Sequence, residues 1–315
     1  MRNVRIAGYG VKLPEKTVNF GNNIRYRISG SETQLKLGID AAKAALKKAR
    51  LAINDIDCII GACAVGVQPI PCTAALIHEQ LAKGLDIPAL DVNTTCTSFI
   101  TALDMISFMI ASKRYKKVLI ISSDVPSLAV NPTHKESYEL FSDGAAAIIV
   151  EYSGNDENTI YNGGIIDGMQ KTWSEGVHAT EIRGGLSAYH PKYYNENTKE
   201  EFMFDMDGKM VLKLSKKKIP YMLTEFLERN NMKISDIDMV IPHQASLAMP
   251  LIMEKLGIKR EQYMNLVEVH GNMVAASVPV TLCTAIDTGR IKRGDTILLI
   301  GTAAGLTTNL LLMKI

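Results

Sequence analysis

The chain repeats itself, and the repeat limits what it can fold into more than any other feature. Ile53-Asn54-Asp55-Ile56-Asp57-Cys58-Ile59-Ile60 returns as Ile234-Ser235-Asp236-Ile237-Asp238-Met239-Val240-Ile241. Each copy follows an amphipathic helical pattern, over 35–49 in the first and 211–230 in the second. A shorter helical pattern comes after each copy, ending at Leu81 or Leu256. Next, each half predicts a second strand (87–92 and 265–269), a long apolar helix, a basic turn and a last strand. The turns are Lys113-Arg114-Tyr115-Lys116-Lys117 and Arg290-Ile291-Lys292-Arg293-Gly294-Asp295. The strands beyond them begin Val118-Leu119-Ile120-Ile121 and Thr296-Ile297-Leu298-Leu299. Strands alternating with helices read as βαβ crossovers and a mostly parallel sheet. The fold class is therefore α/β, built from two pseudo-symmetric βαβ-rich halves, 1–160 and 161–315. The stretch 154–208 is polar and turn-rich and reads as the connection, with loops over a pocket.

In open α/β sheets, ligands bind beyond the carboxyl ends of the strands, so the repeat also organises the chemistry. Cys96 lies in Asn93-Thr94-Thr95-Cys96-Thr97-Ser98-Phe99, just after the apolar run 87–92, which reads as a buried strand. Phe99, Ala102, Leu103, Ile106 and Ile110 then recur at helical spacing. A helix N-terminus stabilises an anion, so a lowered pKa and a nucleophilic thiolate are expected for Cys96. His243 follows the strand of the second copy in Ile241-Pro242-His243-Gln244-Ala245, and Asn272 follows the stretch 265–269. A lone buried cysteine or histidine is more often structural. Three such residues at equivalent turns point instead to one shared site.

The net charge of +2 provides no field for nucleic acid. Five cysteines, odd in number and mostly in apolar runs, suit a reducing compartment with free thiols. The start of the chain lacks the apolar core of a signal peptide, and no run is long enough to span a bilayer. A cytoplasmic protein is expected. No CxxC or HExxH motif is present, so no metal site is expected.

Three segments resemble the signatures of β-ketoacyl-acyl-carrier-protein synthase III, a family of thiolase-like condensing enzymes. They are Asp91-Val92-Asn93-Thr94-Thr95-Cys96, Ile241-Pro242-His243-Gln244-Ala245 and Gly271-Asn272-Met273-Val274-Ala275-Ala276-Ser277-Val278-Pro279. Phe141-Ser142-Asp143-Gly144-Ala145-Ala146 and Gly301-Thr302-Ala303-Ala304-Gly305-Leu306-Thr307 match more weakly, and the likeness runs from about Gly8 onward. The resemblance implies a layered αβαβα thiolase-like fold. It implies that Cys96 takes an acyl group from a thioester, with the amides of Cys96 and of the Ala304-Gly305 turn as oxyanion donors. His243 and Asn272 would bind the carbonyl of a malonyl-type thioester and stabilise its enolate during decarboxylation. Acyl-coenzyme A, acyl-carrier protein and a malonyl thioester would be the partners, with no cofactor. By the same likeness, Ile70 would line the acyl pocket across a homodimer, and Lys213, Lys217 and Lys255 would dock the carrier protein. The Asp143-Gly144 turn reads as structural.

The match has gaps. The family has a longer segment after its first Leu-Pro, with a Trp and an Arg that clamp coenzyme A. Here Leu13-Pro14 leads into a short stretch without Trp, where Arg25 and Arg27 lack that context. Ser246 and Ala248 also depart from the pattern. A carrier-protein donor or a specialised acyl group is then expected. Two alternatives stay open: an acyltransferase on the same fold that moves the acyl group without condensation, and a non-catalytic partner of a condensing pair. A papain-like hydrolase is disfavoured, because its cysteine signature is absent and the βαβ repeat contradicts its fold.

Overall fold

Apolar runs become two sheets, and the helices that are apolar on most sides are sandwiched between them, as burial requires. The computed structural model describes residues 1–154 and 163–315; the expected boundary at 160/161 lies outside the described residues. The first half runs β1 (Val4–Lys12), a hairpin of β2 (Lys16–Phe20) and β3 (Asn23–Arg27), and α1 (Gln34–Ala49). It continues through β4 (Cys58–Gly61), α2 (Thr73–Leu81), β5 (Ala89–Asp91), α3 (Ser98–Ala111), β6 (Lys117–Asp124), α4 (Lys135–Leu140) and β7 (Gly144–Tyr152). The second half has β8 (Gly164–Thr172), a small ribbon of β9 (Thr180–Glu181) with β10 (Asp205–Met206), and α5 (Gly208–Arg229). After these come β11 (Met239–Pro242), α6 (Met249–Lys255), α7 (Val267–His270), α8 (Ser277–Asp287), β12 (Thr296–Ala303) and β13 (Thr307–Lys314).

The strand orders are β1-β7-β6-β4-β5 and β8-β13-β12-β11, so the first four strands of one sheet match the four of the other. Helices α3 and α8 touch each other and strands of both sheets, forming the middle layer. Phe99, Leu103, Val278 and Leu282 belong to the core there. Outside, α1 and α2 cover the first sheet through Leu37, Ala41 and Ile77. On the far side, Met222, Phe226 and Met253 join α5 and α6 to the second. The layers are thus αβαβα.

Three expectations need correction. The sheets are mixed rather than mostly parallel: β1, β7 and β6 pair antiparallel, as do β8, β13 and β12. Among the described residues the parallel pairs are β4 with β5 and β6, and β11 with β12, each joined by the helical crossover that a parallel pair needs. The stretch 154–208 is more than a connection, since β8 within it forms the edge of the second sheet. The strand expected over 265–269 is absent: the Asn265 side chain accepts from the Val267 N–H at 3.2 Å and the chain coils into α7. Only Tyr263 bridges to Val240 where a fifth strand would lie. Its counterpart β5 exists but is an exposed edge, with Leu90 37% accessible. The Asp91 carboxylate beside it accepts the N–H groups of Thr73 and Ala74 at the start of α2.

Candidate active site

Two tight elbows, each a 3-10 turn entering a buried helix, meet where the halves join. In the first, Asn93 Oδ1 accepts from Thr95 N–H at 2.8 Å and Ser98 Oγ accepts from Thr94 N–H at 3.0 Å. In the second, Asn272 Oδ1 accepts from Val274 N–H at 2.9 Å and Ser277 Oγ from Met273 N–H at 2.8 Å. The left-handed residue is also shared, with Thr95 at φ 51° and Val274 at φ 50°. Neither is glycine, so both positions are strained, as functional turns often are. The correspondence pairs Cys96 with Ala275 and Asn272 with Asn93. Likewise Ala62 N–H bonds Ile121 C=O as His243 N–H bonds Ile300 C=O, so His243 pairs with Ala62. One half supplies the thiol and the other the imidazole and the amide.

His243 is 6% exposed, and its Nδ1 has no hydrogen-bond partner. Burial lowers its pKa to about 4, so the ring is neutral at pH 7. Gln244 holds the turn from below: its Nε2 donates to the carbonyls of Pro242 and Met264, and its Oε1 accepts from Leu266 N–H. Asn272 is 5% exposed, with its backbone bridged to Leu140 and Ser142. Because its Oδ1 is already used by Val274, its NH2 is the end left to donate to a ligand.

Cys96 corrects the sequence expectation. Its thiol is pushed up to about 12 by burial and by the nearby Asp124 charge, so the resting sulfur is protonated. The Ala304 and Cys96 amides pull the other way and are outweighed. Ala304 sits in the turn between β12 and β13, where Gly305 adopts φ 136°. A Cβ at Gly305 would come 2.9 Å from Thr307 Oγ1, so the turn that aims the Ala304 N–H requires glycine there.

Sequence reading missed two residues. Asp124 is 3% exposed, and its carboxylate accepts N–H groups from Ala64 and Val65 of one half and Ala276 of the other. Gly301 lies between the halves, where a Cβ would meet Thr97 Cγ2 at 2.9 Å and His243 Cβ at 3.4 Å. The repeat carried a signal for both: Ser122-Ser123-Asp124 aligns with Gly301-Thr302-Ala303, and Asp124 is its unmatched charge.

A cavity of about 150 Å³ reaches His243 and Gly301, passing Gly208, Val211 and Leu212 of α5 and Met249 of α6. Lys213 and Lys217 are exposed on α5, as is Lys255 at the end of α6. Ile70 is 85% exposed on the loop after β4, outside the cavity. Asp143 accepts from Ile28 and Ser127 N–H groups and from the Ser127 hydroxyl. Arg25 and Arg27 are buried, so neither reaches a ligand at the surface.

Two mirrored halves around a helical middle layer, with a cysteine elbow at the junction, define the thiolase-type fold of the condensing enzymes. The chain belongs to the β-ketoacyl-acyl-carrier-protein synthase III family. Residues 90–165 match the model of 3-oxoacyl-[acyl-carrier-protein] synthase III and residues 227–315 that of its C-terminal part. The chain is 32% identical to beta-ketoacyl-[acyl-carrier-protein] synthase III of Clostridium perfringens, over the full length of both. With the same-named protein of Coxiella burnetii the identity is 33%, again end to end. The 3-oxoacyl-[acyl-carrier-protein] synthase III structure from Aquifex aeolicus superposes with a TM-score of 0.84 at 27% identity, covering 99% of this chain and 100% of that one. The protein is an enzyme of the condensing type, and among the described residues no helix is long and apolar enough to cross a membrane.

Proposed function

We propose that the protein makes β-ketoacyl thioesters by decarboxylative Claisen condensation, with Cys96 as nucleophile and His243 and Asn272 as carbonyl donors. The observation that carries the reading is the pair of elbows. They bring a thiol and an amide with its NH2 free to one junction, the neutral His243 imidazole stands at the end of β11 across Gly301 from the first elbow, and the Ala304 N–H faces the sulfur.

The Cys96 thiol is protonated at rest, so its proton leaves as it attacks the thioester. The carbon–sulfur bond of the donor breaks, a new bond forms to Sγ, and the departing thiolate takes up the proton. The oxyanion is held by the amides that face the sulfur at rest, Cys96 and Ala304, with Gly305 shaping their turn. A malonyl thioester then places its carbonyl against the His243 N–H and Asn272 NH2. Its carbon–carboxylate bond breaks, releasing CO2 and leaving an enolate that both donors stabilise without proton transfer. The enolate carbon attacks acyl-Cys96, and the sulfur leaves as a thiolate that takes a proton from solvent water. These steps need thioester substrates and no cofactor.

We place the cavity between α5 and α6 as the passage for the thioester arm. The hairpin β2–β3 replaces the segment that would clamp a nucleotide, and Arg25 and Arg27 point into the protein. Delivery by an acidic acyl-carrier protein on Lys213, Lys217 and Lys255 follows from that loss. The exposed edge β5 and the apolar Ile70, Leu90 and Phe108 suit a homodimer in which Ile70 lines the partner's acyl pocket. The five cysteines are free, as a cytoplasmic protein requires. The halves 1–160 and 161–315 act as one unit, since neither carries the whole site.

Intact-mass measurement after mixing with acyl-coenzyme A and acyl-carrier-protein donors should show an adduct that Cys96→Ala abolishes. His243→Ala and Asn272→Ala should still form the adduct but lose CO2 release about 10²–10³-fold, the usual loss for one such donor. Transfer without CO2 in the wild type would favour simple acyl transfer.

A further inference from the structure

We infer that Arg25 is a positioning residue for Asn272: its buried guanidinium ties together the two backbone segments that hold the Asn272 turn. The inference rests on the reading of Asn272 as an enolate donor. Arg25 has no accessible surface, although it carries a charge. Its Nε donates to the Glu139 carbonyl at 2.7 Å. Its Nη1 faces the carbonyls of Ile24 at 2.6 Å, Val267 at 2.9 Å and Glu268 at 3.1 Å. All of these partners are backbone oxygens.

Those carbonyls are placed on both sides of Asn272. Glu139 precedes Leu140, whose C=O accepts the Asn272 N–H at 3.0 Å, and Ser142 N–H returns to the Asn272 C=O at 2.9 Å. Val267 and Glu268 belong to α7, which ends one residue before Gly271. Gly271 has φ 70°, and a Cβ there would come 2.6 Å from Arg25 Cδ. The turn therefore lies directly on the arginine stem. A planar fork can hold several carbonyls in fixed directions, whereas an ammonium acts as a point charge. Burying an unpaired cation is costly, and Nη2 finds no partner at all. A fold that needed only packing at this place would be served better by an apolar side chain.

The test separates the two half-reactions in Arg25→Lys. Acylation of Cys96 is followed by intact mass, and CO2 release is followed on enzyme already acylated. Acylation should stay within about twofold of wild type, while CO2 release should fall about 10- to 100-fold, as a displacement near 1 Å produces. In the double variant with Asn272→Ala, Arg25→Lys should add no further loss, because the two residues act as a unit. Unchanged CO2 release, a parallel fall of both half-reactions, or additive losses in the double variant overturns the inference. If Asn272→Ala alone keeps CO2 release, the reading of Asn272 fails and this inference with it. If Arg25→Lys does not fold, Arg25→Met removes the buried charge, keeps the stem and is read by the same criteria.

Discussion

Asp124 offers the sharpest quantitative check on the junction between the halves. Its carboxylate is nearly inaccessible, and Ala64 N–H approaches it at 2.9 Å, Ala276 N–H at 3.3 Å and Val65 N–H at 3.4 Å. Burial outweighs these bonds and raises its pKa from 3.8 to about 7. A carboxyl whose pKa is raised on folding binds its proton more tightly in the native state. Its contribution is therefore complete below about pH 4 and is lost as the pH rises to about 7. Three pH units at about 1.4 kcal/mol each make the loss about 4 kcal/mol.

Asp124→Asn keeps the shape and removes the ionisation. Its NH2 facing a backbone N–H introduces an offset of about 1–3 kcal/mol that does not vary with pH. The measurement is denaturant unfolding of both proteins from pH 4 to 8. The stability of Asp124→Asn relative to wild type should climb by about 4 kcal/mol across that range and level off above pH 7. The buried histidines titrate in both proteins and cancel in the difference. A difference that stays flat would refute the claim that folding raises the pKa of this carboxyl. Removing the charge should also lower the Cys96 thiol pKa, so alkylation by iodoacetamide at pH 8 should speed up.

Two further outcomes test the geometry. Gly301→Ala forces a methyl to within 2.9 Å of Thr97 and 3.4 Å of His243. It should cost about 1–3 kcal/mol by overpacking, seen as a lower Tm. Condensation should fall about 10²-fold as the elbow shifts, and a normal kcat would show that the junction tolerates the methyl. Ile70→Asp with Leu90→Asp puts charge on the exposed rim of the first half. Light scattering should then report a monomer with unchanged circular dichroism, and a persisting dimer would place the interface elsewhere.

Some of this was legible in the residues alone. The octapeptide repeat and the apolar periodicities located both α1 and α5, both elbow helices and the pairs β4/β11 and β6/β12. The positions of Cys96 and His243 at the ends of strand units followed from the same pattern, whereas Asn272 stands after α7 instead of the expected strand. Other elements were hidden for physical reasons. β8 contains Asp167, Gly168, Gln170 and Lys171, and an edge strand with one solvated face looks like a loop in sequence. Leu266, Val267 and Val269 fit strand and helix alike, and the Asn265 side chain settled the choice. Arg25 gave no hint of burial, because the carbonyls it holds come from residues 139, 267 and 268.

By itself, then, the sequence determined two similar α/β halves and which residues stand at their turns, because side-chain periodicity and repetition are local properties of the chain. Tertiary structure alone decided the electrostatics. The meeting of the elbows sets the half-buried Cys96 beside Asp124, so a thiol expected to be acidic at a helix start becomes a protonated one. Helix-start amides stabilise a charge by fixed short-range bonds, whereas desolvation depends on everything packed around the group, and that sum exists only once the halves have met.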